Sequence, residues 1–251
     1  METKVYFIGA GPGDPDLLTI KAAQILQKAD VIIFAGSLVP EELVRKFAKK
    51  ECKIINSAPL NLDEIHSIIR DSIKKGLLVA RVHTGDPSIY GAIHEQVYLL
   101  EKDNIDYEII PGISAAFATA AKARVCFTIP EMAQTLIITR LEGKTKVPER
   151  ESFENLAATL CPMAIYLSAS KVDELQKKCL NAGYEKNTTV VIGYRIGWED
   201  ENIIITDLEN LVDNVKKYNI TRQAVFLILP YKDQIYFSKL YDPEFSHGYR
   251  K

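Results

Sequence analysis

Residues 9–14 read Gly-Ala-Gly-Pro-Gly-Asp between a short apolar run and a helix-like stretch, the position where many α/β proteins hold a nucleotide. A dinucleotide loop needs G-x-G-x-x-G, free amides over a helix N-terminus, and an acid about 20 residues on to hold the ribose. Here Pro12 removes an amide, Asp14 places negative charge where a pyrophosphate would sit, and the second apolar run ends Phe-Ala-Gly-Ser-Leu-Val with no acid. The stretch suits a ligand that lacks phosphate, is cationic and is approached closely by backbone, or else a tight turn with no ligand. A second loop, Thr84-Gly85-Asp86-Pro87, follows a strongly apolar run, and a third, residues 111–116, opens a helix with Ser114 as a candidate cap and very small side chains. One such loop is common in α/β chains, whereas three on one rim point to a binding site.

These loops need strand ends to hold them. Apolar runs of strand length at 5–9, 31–34, 53–56, 77–83 and 107–110 alternate with helix-period stretches such as 17–29 and 62–74, the pattern of a mostly parallel α/β sheet. Between 62 and 73 the apolar residues form one stripe that leaves His66 on the solvated side. A second series, at 134–139, 163–167, 190–194, 202–206 and 224–229, follows Pro111-Gly112. The runs at 190–194 and 202–206 are too close for a helical crossover, so they should pair antiparallel through 197–201 and give a mixed sheet. The expected organisation is an N-terminal α/β domain at 1–113 and a C-terminal α/β domain at 114–251, with the aromatic, charged tail on its surface.

The 251 residues carry 31 Lys+Arg against 33 Asp+Glu and are 47% hydrophobic, enough for a sizeable core and unlike a general polyanion binder. No apolar run approaches the roughly 20 residues of a membrane span, no signal peptide opens the chain, and a cytoplasmic protein is expected. Cys52, Cys126, Cys161 and Cys179 are widely spaced, which suggests reduced thiols rather than a zinc site. His83 and His94 flank the second loop but stand eleven residues apart without Cys or carboxylate partners, so no protein-held metal is expected.

The stretches GAGPGDPDLLT, GSLVP, TGDPSIYG and PGISA resemble the tetrapyrrole methylase family of S-adenosylmethionine-dependent enzymes. Within it, GSLVP and the TIPE…QT…VPERE stretch are similar to the branch that methylates ring carbon 11 of precorrin-4 or cobalt-precorrin-4 in corrin synthesis. The resemblance implies two α/β domains, a methyl donor held in a trough between them, a homodimer, and cobalt only as part of the substrate. Carried over position by position, it places Pro12, Thr84, Gly85, Asp86, Ile89, Ser114, Ala115, Leu167, Ile196 and Ala224 at the S-adenosylmethionine. The donor chemistry agrees, because a sulfonium with an amino acid and an adenine can be recognised by backbone groups and apolar side chains.

A tetrapyrrole bearing several carboxylates calls for Arg and Lys as charge-assisted donors. The candidates for the substrate side are Arg45 and Arg140, with Glu131 and Gln134 from the branch-like motif and Lys144, Lys146 and Arg150 nearby. Uroporphyrinogen III methylases carry an aspartate after the second strand, in a D-R-L-V-type motif, where this chain has Gly36-Ser37-Leu38-Val39. That departure argues against uroporphyrinogen III and leaves no assigned catalytic residue. Methylation of a protein or RNA is the rival within the family, although near-neutral charge without basic-aromatic interleaving speaks against RNA. A tetrapyrrole carrier without turnover is the rival outside enzymes.

Overall fold

The computed structural model describes residues 4–231, 237–243, 245–246 and 248–249. The first sheet contains β1 (Val5–Gly9), β2 (Val31–Phe34), β3 (Lys53–Asn56), β4 (Val79–His83) and β5 (Tyr107–Ile110), all parallel in the order β3-β2-β4-β1-β5. The Val-Ile-Ile-Phe run of β2 is buried along its whole length, as a parallel strand covered on both faces requires. Alternate side chains feed two cores. Ile8, Ala80 and Val82 pack against α1 (Ile20–Lys28) and α2 (Glu41–Phe47) through Leu26 and Val44, while Phe7 and Val79 pack against α3 (Leu62–Lys74) and α4 (His94–Lys102) through Ile69 and Leu100.

Local signals set the helix ends. Thr19 caps α1, which therefore begins at Ile20 rather than at 17; residues 15–17 form a separate 3₁₀ turn with Asp14 as its cap and Pro15 first. Asn61 and Glu64 close a reciprocal capping box on α3. His66 is not simply solvated, because its Nε2 lies 2.8 Å from the Asp103 carboxylate at the end of α4.

After α5 (Ala115–Ala123) the second sheet is built from β6 (Ile137–Arg140), β7 (Met163–Tyr166), β8 (Thr189–Tyr194), β9 (Asn202–Asp207) and β10 (Ala224–Leu229), in the order β6-β7-β10-β8-β9. Only β6 and β7 run parallel; β8 and β9 pair antiparallel, as their short connection dictates. Helices α6 (Phe153–Ala157), α7 (Val172–Ala182) and α8 (Leu211–Lys217) cover its core through Phe153, Leu175 and Leu211. The chain divides into two compact units, residues 1–118 with 195–201 and residues 119–194 with 202–251, so the division falls inside α5. Among the described residues no helix is long and apolar enough to cross a membrane.

Phe226 is fully buried on β10, between β7 and β8. Phe226→Ala should cost about 3–5 kcal/mol, read as a lowered urea midpoint, and a change below about 1 kcal/mol would show that its site collapses around the smaller side chain.

Candidate functional site

Strands β1 and β4 are neighbours, yet the helices that follow them lie on opposite faces of the first sheet, α1 on one and α4 on the other. Loops leaving such a pair diverge and open a crevice at the carboxyl edge, the usual ligand position in open α/β sheets. Here the loops are also tied together. Gly11 N–H donates to the Gly85 carbonyl at 3.2 Å, and Gly85 N–H donates back to the Gly11 carbonyl at 2.7 Å. With Pro12 lacking an amide and the Gly11 amide spent on Gly85, the first loop is a poor phosphate nest.

The third loop is joined by Asp86. One carboxylate oxygen accepts from the Ser88 amide at 2.8 Å and from the Ser88 hydroxyl, and the other accepts from the Gly112 amide at 2.9 Å. Burial works against the charged form of Asp86, but the Ser88 hydroxyl and the Gly112 and Ser88 amides outweigh it and hold the carboxyl below its ordinary range. Gly112 has no room for a side chain, since a Cβ would fall 2.8 Å from Gly9 Cα and would overlap the Gly85 carbonyl. Gly85 is the opposite case: with φ at +60°, the place of its missing Cβ has only Ser114 Cα at 3.7 Å and the Ile113 carbonyl at 4.0 Å nearby. A ligand can enter that space against bare backbone.

Of the residues assigned to the donor, Pro12, Thr84, Gly85, Asp86, Ile89, Ser114, Ala115 and Ile196 belong to the first unit. Pro12 is buried inside the first loop, the Ile89 amide donates to the Asp86 carbonyl at 3.1 Å, and Ser114 precedes α5 and accepts the Phe117 amide at 3.1 Å. Buried Ile196 lies in the 195–201 turn, where Trp198 fills the space beside Gly13 and the Arg195 guanidinium stacks 4.3 Å from its ring. Leu167 and Ala224 lie in the second unit, Leu167 exposed just beyond β7 with φ at +53° and Ala224 opening β10 opposite Tyr194.

The residues assigned to the substrate are not gathered into one described cluster. Arg45 pairs with Glu41 on the exposed surface of α2. Arg140 donates to the carbonyls of Leu141 and Thr145 at 3.2 Å and of Lys146 at 2.9 Å, so its guanidinium staples the following loop. Glu131, with φ at +65°, and Gln134, bonded to the Ile129 carbonyl, belong to a tight turn closed by Ile129 and Ala133.

Sequence reading passed over Arg81 and set aside His83. Both sit on buried β4 at alternate positions, and both line a cavity of about 380 Å³ with Ser37, Tyr90, Glu95 and Gln96. The signal was present as two polar residues, two apart, in Val-Ala-Arg-Val-His. Burial first, then the neighbouring Arg81 charge, pulls the His83 ring down to about 3, a backbone hydrogen bond with Gly91 opposing this only in part; the imidazole is neutral.

Two α/β units, one with glycine-built loops at a switch point, define an α/β ligand-binding fold that is not of the dinucleotide-binding kind. The family model for Tetrapyrrole (Corrin/Porphyrin) Methylases matches residues 4–212, and the chain belongs to that family. It is 46% identical over 250 residues to a cobalt-precorrin-4 C(11)-methyltransferase of Methanocaldococcus jannaschii, covering 99% of this chain and 96% of the relative. It is 44% identical over 253 residues to the enzyme of the same name from Priestia megaterium, covering 99% and 98%. The X-ray structure of a cobalamin biosynthetic enzyme, cobalt precorrin-4 methyltransferase, superposes with a TM-score of 0.87 at 43% identity, covering 90% of this chain and 94% of that one.

Asp86→Asn replaces two acceptor oxygens with one and leaves a loop donor unpaired, at a cost of about 1–3 kcal/mol in urea unfolding at neutral pH. The folded carboxyl titrates below the unfolded one. The wild-type advantage should therefore be complete above about pH 4 and disappear as the pH falls through the folded value. An advantage that persists unchanged to about pH 2 would contradict the clamp.

Proposed function

We propose that this protein is an S-adenosylmethionine-dependent C-methyltransferase that methylates ring carbon 11 of cobalt-precorrin-4 in corrin synthesis. Full-length kinship with enzymes named for that reaction supports the substrate, and the backbone-lined space at Gly85, beside a loop that offers phosphate no nest, supports the donor. The donor supplies an electrophilic methyl on a sulfonium. Pro12, Thr84, Gly85, Ser114 and Ala115 would hold its amino-acid and ribose portions from the first unit, with Asp86 and Ile89 fixing the loop that presents them. Leu167, Ile196 and Ala224 would complete the donor contacts. Cobalt belongs to the substrate, held by the ring nitrogens.

Methyl transfer to carbon is an in-line displacement, and the electron-rich macrocycle is itself the nucleophile, so no activated Ser or Cys is required. The protein's contribution is alignment, worth up to about 7–11 kcal/mol where the geometry is fully restrained. The loops suit that task, being fixed by hydrogen bonds and close backbone contact rather than by flexible side chains. Arg45, Glu131, Gln134 and Arg140 belong to the substrate side of this reading, Arg140 by shaping the 141–146 loop whose carbonyls it already holds. A cytoplasmic homodimer without nucleic-acid or membrane partners completes the proposal.

Incubation with ¹³C-methyl-labelled S-adenosylmethionine and cobalt-precorrin-4, followed by NMR, should place the label on carbon 11, with cobalt-free precorrin-4 the poorer acceptor. Label on another carbon would overturn the assignment, and tetrapyrrole binding without transfer would indicate a carrier. Gly85→Ala, which fills the space beside Ser114, should weaken S-adenosylhomocysteine binding at least about tenfold by calorimetry while costing only about 1 kcal/mol of stability. Unchanged affinity would move the donor away from Gly85.

A further inference from the structure

Burying a cation without a counter-charge is expensive, and β4 does so with Arg81, which is 5% exposed. Its Nε donates to the Gln96 side-chain carbonyl at 3.0 Å and its Nη1 to the Ile33 carbonyl at 3.2 Å. Among the described residues no hydrogen bond reaches Nη2, and no carboxylate lies within ion-pair distance. Burial alone lowers the guanidinium to about 10, so it stays charged. Two residues along, on the same face, His83 is 4% exposed and its Nε2 is buried without a hydrogen-bond partner. Both side chains line the cavity of about 380 Å³ beneath the 84–92 loop. Glu95 lines it too, exposed in the first turn of α4 and unpaired with Arg81, so the guanidinium charge is left over for a ligand.

A buried guanidinium with a spare nitrogen, next to a neutral imidazole whose Nδ1–H is held by Gly91 and whose Nε2 lone pair is unmet, matches a carboxyl group: one oxygen accepts from Arg81 Nη2, and the other shares a single proton with Nε2. The cavity is too small for a macrocycle and roomy enough for one acidic arm of it. We propose that Arg81 and His83 form a carboxylate-binding subsite, in which Arg81 Nη2 and His83 Nε2 hold one acidic side chain of the tetrapyrrole. This rests on the methyltransferase reading above and extends it to the part of the molecule that orients the ring. The apolar walls, Leu60, Leu62 and Ile65, take the methylene stem of that arm, and the acid enters with one proton taken up, which bridges its oxygen and Nε2. Substrate orientation would then come from β4, the same strand whose end carries the donor loop, so one rigid element positions both reactants.

Anaerobic titration of the full chain with cobalt-precorrin-4, alongside calorimetry with S-adenosylhomocysteine, separates this role from a structural one. His83→Phe should raise the tetrapyrrole Kd roughly ten- to hundredfold and leave the S-adenosylhomocysteine Kd unchanged, and His83→Gln, which restores a donor, should recover most of the loss. Arg81→Gln should do the same as His83→Phe, and if it does not fold, the histidine pair alone decides. Substrate with methyl-esterified carboxyl groups should bind wild type and His83→Phe equally. Equal tetrapyrrole affinity in His83→Phe and wild type, with carbon 11 still methylated, would overturn the subsite while leaving the function standing. Equal loss of both ligands would reduce His83 to a packing residue, and a wild type that binds no tetrapyrrole would overturn both.

Discussion

The Asp86 carboxylate is the constraint on which the arrangement of the first unit depends. Three loops leave the ends of β1, β4 and β5, and loops of this kind ordinarily move independently because water satisfies their backbone. Here the first and second exchange a pair of backbone hydrogen bonds, while the second and third are joined by a side chain that is ionised, partly buried and bonded on both oxygens. The close approach at Gly9 and Gly112 allows that short connection, because a Cβ at either position would collide with backbone. Rigidity at the rim is thus obtained with one charge and a few missing side chains, and the surface left facing the crevice is backbone.

That surface is ill-suited to a phosphate-bearing ligand. A pyrophosphate would need several free amides converging on one point, and in the first loop Pro12 has none and Gly11 has already given its own. A sulfonium compound has no such requirement. The strained backbone on either side of Gly91 belongs to the same economy: Tyr90 at φ +55° and Ala92 at φ +48° each hold a conformation that costs a non-glycine residue about 1–3 kcal/mol. The strain sits where the loop roofs the Arg81–His83 cavity.

Much of this was legible in the sequence, and the rest was hidden for definable reasons. Strand positions followed from apolar runs bounded by Gly and Pro, and the antiparallel pairing of β8 with β9 followed from the length of their connection. The rejection of a dinucleotide loop followed from Pro12, Asp14 and the missing acid after the second apolar run. Pairings between residues distant in the chain left no such trace. His66 looked solvated because its partner, Asp103, is 37 residues away. Arg140 looked like a free cation, and only the fold reveals that its donors are spent on three carbonyls of the next loop. Arg81 escaped notice because hydrophobic periodicity treats a buried strand as apolar throughout, whereas β4 places two polar side chains on one face in alternation.

The position of β1 bears on how the chain is made. It precedes the other described strands in the sequence, yet it pairs only with β4 and β5, whose partners in register begin at Val79 and Tyr107. The glycine loop at its end therefore has no backbone partner until synthesis has passed Gly85, and the 195–201 segment that completes the first unit arrives much later. Such long closures slow folding and leave apolar strands exposed in the interval. A nascent chain stalled before residue 107 would carry the most recognisable motif of the family in a form unable to serve it.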